Sequence, residues 1–84
     1  MPKDLYDIIV QQPRFKIMLT VASSGSMTVD ELCKALSDFP EEAIRESVGV
    51  LTEAGALVAD AALSLNNDVL RRHTLPKALS DYVS

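Results

Sequence analysis

The sequence predicts one mainly α-helical domain, residues 1–84, with about five helices and a very short β-hairpin. Its apolar content of 48% in 84 residues is typical of a single globular domain. Most of the apolar residues recur at helical spacing. The exceptions are two β-type runs at 57–59 and 63–65, which only Asp60, Ala61 and Ala62 separate, so a hairpin is predicted there.

Apolar spacing predicts the first two helices. A helix from Asp4 to Gln11 places three apolar residues on one side: Leu5, Ile8 and Ile9. After Pro13, a second helix carries an apolar stripe that Ile17 and Val21 widen, so this helix should be the most buried; the stripe is Phe15, Met18, Leu19 and Ala22. The small polar residues of 23–26 predict a loop.

The third and fourth helices have the clearest local signals. Thr28 and Glu31 have the spacing of a capping box, in which each side chain bonds the other residue's backbone N–H. The inner face of the third helix would be Val29, Leu32, Cys33 and Leu36. After a turn at 37–39, Pro40 suits the start of a fourth helix and Gly55 its end.

The last part of the chain is predicted as one helix followed by a restart. Asn66 or Asn67 can cap a helix that continues to His73. Pro76 then kinks or restarts the chain, and a further apolar face follows at Leu79, Tyr82 and Val83.

Two helices joined by a short turn, with a hairpin directly after the second, are the plan of a winged helix-turn-helix domain. We expect the helix pair, bridged by Ser37, Asp38 and Phe39, to rest on an aliphatic core. The six residues expected to form that core are Phe15, Leu19, Leu32, Leu36, Ile44 and Leu51.

Four segments resemble the ArsR-like repressor family in order and spacing. The stretch 13–19, PRFKIML, resembles the family's Pro-Thr-Arg-Leu-x-Ile-Leu stretch, and 27–32, MTVDEL, resembles its next helix start. The stretch 50–58, VLTEAGALV, resembles its Val-Leu-x-x-Ala-Gly-Leu-Val signature with one extra small residue. Finally, 63–66, LSLN, resembles the strand exit into its last helix.

The resemblance implies a homodimeric, DNA-binding transcription regulator. Its first and last helices would form the dimer contact, with candidate residues Leu5, Ile8, Ile9, Leu70, Leu79 and Val83. The helix from Pro40 to Ala54 would enter the major groove of double-stranded DNA, and the hairpin would touch the backbone. Four basic residues at the front of the motif are the candidate phosphate contacts: Arg14, Lys16, Lys34 and Arg45.

The charge pattern favours an alternative, a protein–protein interaction module that has lost DNA binding. The formal net charge is −4, and no Lys or Arg occurs between Arg45 and Arg71. The presumed reading helix carries Glu41, Glu42, Glu46 and Glu53 on or near its outer side. Such a helix repels phosphate and suits a basic protein partner. Gly49, unfavourable inside a helix, suggests close approach by another surface.

No residue set predicts an enzyme, a cofactor or a metal site. The resembled family often binds metal through cysteine pairs in the third helix, but the matching start here, 29–32, has no cysteine. Cys33 is expected to act as a small core residue, and His73 lacks the paired spacing of a zinc site. Arg71 and Arg72 are interpreted as helix-end charges. One cysteine, no leader and no membrane-length apolar run predict a cytoplasmic protein.

Overall fold

The computed structural model describes residues 5–83. Within that range the chain forms six helices and one three-stranded antiparallel sheet. In chain order the elements are α1 (Leu5–Ile9), α2 (Arg14–Ser24), β1 (Ser26–Met27), α3 (Val29–Ala35), α4 (Glu41–Glu53), β2 (Leu57–Ala59), β3 (Leu63–Leu65), α5 (Asn67–Leu70) and α6 (Lys77–Ser80).

The hairpin lies where the sequence predicts it, but the sheet has one strand more. The strand order is β1-β3-β2, and Val58 pairs with Ser64 in the hairpin. On the other edge of β3, Ser26 pairs with Ser64 and Met27 with Leu63. The prediction of a loop over 23–26 is therefore wrong at both ends, since Ser23 and Ser24 are the last residues of α2 and Ser26 is the first residue of β1. A two-residue strand has no alternation to detect, and its partner lies far along the chain.

The last helical region is divided in two, so the count of about five helices is corrected to six. Asn66 caps α5 as predicted, because its Oδ1 accepts from the Val69 N–H at 3.4 Å. However, α5 ends at Leu70 instead of continuing to His73. A link of irregular chain then leads to Pro76, which precedes α6. The predicted start of the first helix at Asp4 lies outside the described residues.

The core is aliphatic, as expected, and α2, α3 and α4 supply most of its centre. The fully buried large side chains are Ile9, Ile17, Met18, Val21, Leu32, Ile44, Leu51, Leu70 and Leu79. Three of the six residues expected to form the core are therefore central. The other three, Phe15, Leu19 and Leu36, are only half-buried at its margin. The buried side of α2 is thus centred on Ile17, Met18 and Val21, and the other residues of the predicted stripe lie toward the edge of the core.

The start of α3 is the predicted capping box. The Glu31 N–H donates to the Thr28 hydroxyl at 3.2 Å, and the Thr28 N–H donates to Glu31 Oε1 at 3.0 Å. Two backbone donors that the helix leaves unpaired are thereby satisfied. The hydrogen bond from the Thr28 backbone also lowers the pKa of the Glu31 carboxyl, because it stabilises the ionised form.

The end of α4 fixes how the chain enters the hairpin. Gly55 has a φ of 85°, in the left-handed region that favours glycine. Its N–H donates to the Thr52 carbonyl at 3.1 Å, and the Ala56 N–H donates to the Leu51 carbonyl at 2.9 Å. The Ala56 carbonyl in turn accepts from the Asn66 N–H at 3.0 Å. One buried peptide segment therefore joins the end of α4, the start of β2 and the exit from β3.

We predict that Thr28→Ala lowers the free energy of unfolding by about 1 kcal/mol, because it removes the side-chain acceptor at the start of α3. Urea unfolding followed by circular dichroism measures the change. Thr74→Ala is the matched control, because the Thr74 hydroxyl has no hydrogen-bond partner within residues 5–83. An equal loss in both variants would contradict the assignment.

The capping box also predicts a pH dependence. The folded state lowers the pKa of Glu31, so the ionised carboxylate stabilises the fold above the unfolded pKa of about 4.3. That stabilisation is lost as the pH falls through the lowered folded value. The difference in unfolding free energy between the protein and Glu31→Gln should therefore be larger at neutral pH than near pH 3. Urea unfolding at both pH values tests this; an unchanged difference would contradict it.

Candidate functional site

Helix α4 presents a single acidic face, which we call the α4 face. The helix buries one side, with Ile44, Val48 and Leu51 in the core. The exposed residues fall on the opposite side, within less than half the circumference of the helix. They are Glu41, Glu42, Arg45, Glu46, Gly49 and Glu53. Four glutamates against one arginine give this face a formal charge of −3.

The single cation of the α4 face is already paired with acids. The Arg45 Nη2 atom lies 2.8 Å from Glu41 Oε1 and 3.1 Å from Asp30 Oδ1 of α3. The Arg45 Nε also donates to Glu41 Oε1 at 3.1 Å. The hydrogen bond with Glu41, followed by the Coulombic attraction of the same carboxylate, raises the pKa of the Arg45 guanidinium above its ordinary value. All three side chains are more than half exposed, so this triad adds little to stability.

The triad determines the charge at the front of α4. One guanidinium between two carboxylates leaves a net negative group at the front of α4. The Glu41–Arg45 pair has the i, i+4 spacing that the sequence alone indicates. The contribution of Asp30 was missed, because it joins residues fifteen positions apart and depends on the packing of α3 against α4.

Gly49 lies in the middle of the α4 face and is not required by the fold. A Cβ atom added to Gly49 meets no atom within 4 Å, and the residue has no positive φ. Inside a helix, glycine costs about 1 kcal/mol relative to alanine. Neither internal packing nor backbone conformation offsets that cost here. Gly49 leaves a bare strip of helix backbone between the acidic side chains.

The tip of the hairpin is also without positive charge. It consists of Asp60, Ala61 and Ala62, and the Asp60 N–H donates to the Ala62 carbonyl at 3.3 Å. Asp60 is exposed. The hairpin therefore presents a carboxylate, and no ammonium or guanidinium, at its tip.

Three of the four predicted phosphate contacts, Lys16, Lys34 and Arg45, border one open groove, whereas Arg14 bonds to α1. The Lys16 Nζ atom lies 5.6 Å from the centre of the Phe39 ring, in the link between α3 and α4. Lys34 and Phe39 line the same open groove of about 500 Å³. Lys16 and Lys34 therefore flank this link. Arg45 is in the acidic triad, and the Arg14 Nη1 donates to the Ile8 carbonyl at 3.1 Å, which ties α2 to α1.

The residues predicted for the dimer contact lie mostly inside the single chain. Four are buried in its core: Leu5, Ile9, Leu70 and Leu79. Ile8 and Val83 are half-buried against that core. The apolar side chains exposed in the first and last helical regions are instead Tyr6, Val10 and Tyr82. The homodimer stays a prediction, and any contact surface would use these neighbours more than the residues first named.

The two residues considered for metal or redox chemistry lie apart from any ligand cluster. Cys33 is a free, half-buried thiol that borders the groove beside Lys34. His73 is exposed in the link between α5 and α6. Over residues 5–83, no group of three or more His, Cys, Asp and Glu side chains has the arrangement of a metal site. No helix of the described range is long and apolar enough to cross a bilayer.

Comparison with known proteins found no matching family model, no similar curated protein and no similar solved structure. The resemblance to ArsR-like repressors therefore stays a prediction from the sequence, and the function must be argued from the α4 face.

We predict that Gly49→Ala raises the free energy of unfolding by about 1 kcal/mol, because the new methyl group enters open space in a helix interior. Gly55→Ala is the matched control with the opposite sign. It forces a Cβ into the left-handed conformation and should destabilise by about 1 kcal/mol. Urea unfolding of both variants measures the pair; a loss of stability in Gly49→Ala would mean that the fold itself requires this glycine.

Proposed function

We propose that this chain is a winged helix-turn-helix protein-interaction module, which binds a basic protein segment through the α4 face. The order α3, short link, α4 and hairpin, with β1 completing the sheet, supports this fold assignment. The observation that carries the proposed function is the charge of the α4 face: a formal −3, with Arg45 held between Asp30 and Glu41.

Electrostatics favours a cationic protein over DNA at this surface. Binding to duplex DNA requires Lys and Arg side chains that neutralise phosphates and release counterions. The α4 face and the hairpin tip offer carboxylates in those places. Release of Arg45 from its triad would leave the carboxylates of Glu41 and Asp30 beside the phosphates. The same carboxylates attract and orient a cationic partner.

The spacing of the α4 face defines the partner more closely. Glu42 and Glu46 lie on the N-terminal side of Gly49, and Glu53 lies one turn beyond it. Glu46 and Glu53 are separated by about 10 Å along the helix axis. A partner helix with Lys or Arg two turns apart and a small residue between them would meet both carboxylates, while its backbone approaches α4 over Gly49.

A binding assay with charge variants tests the proposal. The probe is a labelled helical peptide with arginines two turns apart, measured by fluorescence anisotropy. Glu46→Gln with Glu53→Gln should weaken binding about fivefold, at about 0.5 kcal/mol for each exposed ionic contact. Arg45→Gln should strengthen binding about twofold, because it frees Glu41 and Asp30.

Asp7→Asn with Asp81→Asn is the control, because it removes the same charge at two exposed residues that lie outside α4 and the hairpin. An equal loss of affinity in this control would mean that binding depends on the net charge of the protein and not on the α4 face, and it would overturn the proposal.

DNA binding by a homodimeric, cytoplasmic regulator is the second candidate function. Lys16 and Lys34 favour it, because they flank the link that precedes the presumed reading helix. If the protein binds DNA, Arg45→Gln should have the opposite effect on affinity: it should weaken binding to a labelled DNA duplex at low salt. Two results together would replace the first proposal by the second. The unsubstituted protein would bind the duplex more tightly than the double variant Lys16→Gln with Lys34→Gln, and Arg45→Gln would bind it more weakly than the unsubstituted protein.

A further inference from the structure

A second cleft lies where α1 meets the link between α5 and α6, and no residue of α4 lines it. It has a volume of about 250 Å³, and the residues that line it are Leu5, Tyr6, Arg72, His73 and Thr74. Pockets for drug-sized ligands are typically larger than about 300 Å³, so this cleft suits a small ion or a compact group.

Among residues 5–83, the lining is rich in hydrogen-bond donors and contains no carboxylate. Arg72 supplies a permanent guanidinium, and His73 supplies a ring N–H. Tyr6 and Thr74 add two hydroxyl groups, which donate and accept. Such a set of donors around one cleft matches the acceptor oxygens of a phosphate or a carboxylate.

The donors of this cleft have no partners among residues 5–83. No side-chain hydrogen bond or ion pair of the described range involves Arg72, His73, Thr74 or the Tyr6 hydroxyl, and the Thr74 N–H has no backbone acceptor there. The neighbouring Arg71 differs. Its Nη2 lies 2.9 Å from Asp68 Oδ1, and its Nε donates to the Asn67 carbonyl at 3.2 Å.

We propose that this cleft binds the oxyanion of a small molecule, a phosphate or a carboxylate, with Arg72 as the principal ligand. The guanidinium fork pairs with two oxygens of the anion, and His73, Thr74 and Tyr6 donate to the others. The proposal is independent of the proposed function, because the cleft and the α4 face share no residue. It also assigns a role to Arg72, which the sequence indicates as a helix-end charge, and to His73.

The test is a heteronuclear NMR titration at constant ionic strength, with inorganic phosphate in one arm and acetate in the other. Chloride replaces the anion in the reference. Saturable shifts are expected at the Arg72 side chain, the His73 ring and the Thr74 N–H, with a Kd of about 1 mM. Arg72→Gln should raise that Kd at least about tenfold. Arg71→Gln, which removes an arginine already paired with Asp68, should leave it within about twofold.

The two arms separate the ligand classes, since binding of either anion supports the site and the tighter one identifies the class. Thr74→Val, which keeps the side-chain shape, provides a second variant and should raise the Kd about threefold. Thermal unfolding gives an independent measurement, because a ligand bound only by the folded state raises the Tm of the protein but not that of Arg72→Gln. Shifts that fail to saturate, or that are equal in Arg71→Gln and Arg72→Gln, would overturn the proposal.

Discussion

The burial of one side of α4 is the constraint on which the rest of the structure depends. Ile44 and Leu51 are fully buried, and α4 packs against α2, α3 and β2. A rotation of the helix that exposed either side chain would cost about 2 kcal/mol for each of them. Because the helix has a fixed period, the choice of buried residues also determines which residues lie on the opposite, exposed side. Glu42, Glu46 and Gly49 must face outward because Ile44 and Leu51 face inward.

The elements that could be predicted from the sequence are those set by local chemistry. The capping box needs only Thr28 and Glu31, three residues apart, and the end of α4 needs only a glycine that accepts a positive φ. The hairpin strands are close in the chain, and their predicted bounds agree with the structure. In each case the stabilising partner lies within a few residues, so the spacing of residue types carries the information.

The features that could not be predicted depend on contacts between distant parts of the chain. Strand β1 exists because Met27 reaches Leu63, and the acidic triad exists because Asp30 of α3 reaches Arg45. The cleft beside Arg72 needs α1 to pack near a link some 65 residues later. The prediction of which side of α2 is buried was also wrong in part, because Phe15 and Leu19 lie at the margin of the core and Ile17 lies at its centre. Two overlapping apolar stripes on one helix leave the choice to tertiary packing.

Ala56 ties these distant regions together through a single peptide segment. Its N–H closes the end of α4, its carbonyl accepts from Asn66 at the entrance to α5, and its side chain is fully buried. The C-terminal half of α4 and the N-terminus of α5 therefore cannot shift independently without breaking one of two buried hydrogen bonds. A displacement of the N-terminus of α5 is therefore coupled, through the peptide groups of Ala56, to the base of the hairpin and to the last turn of α4.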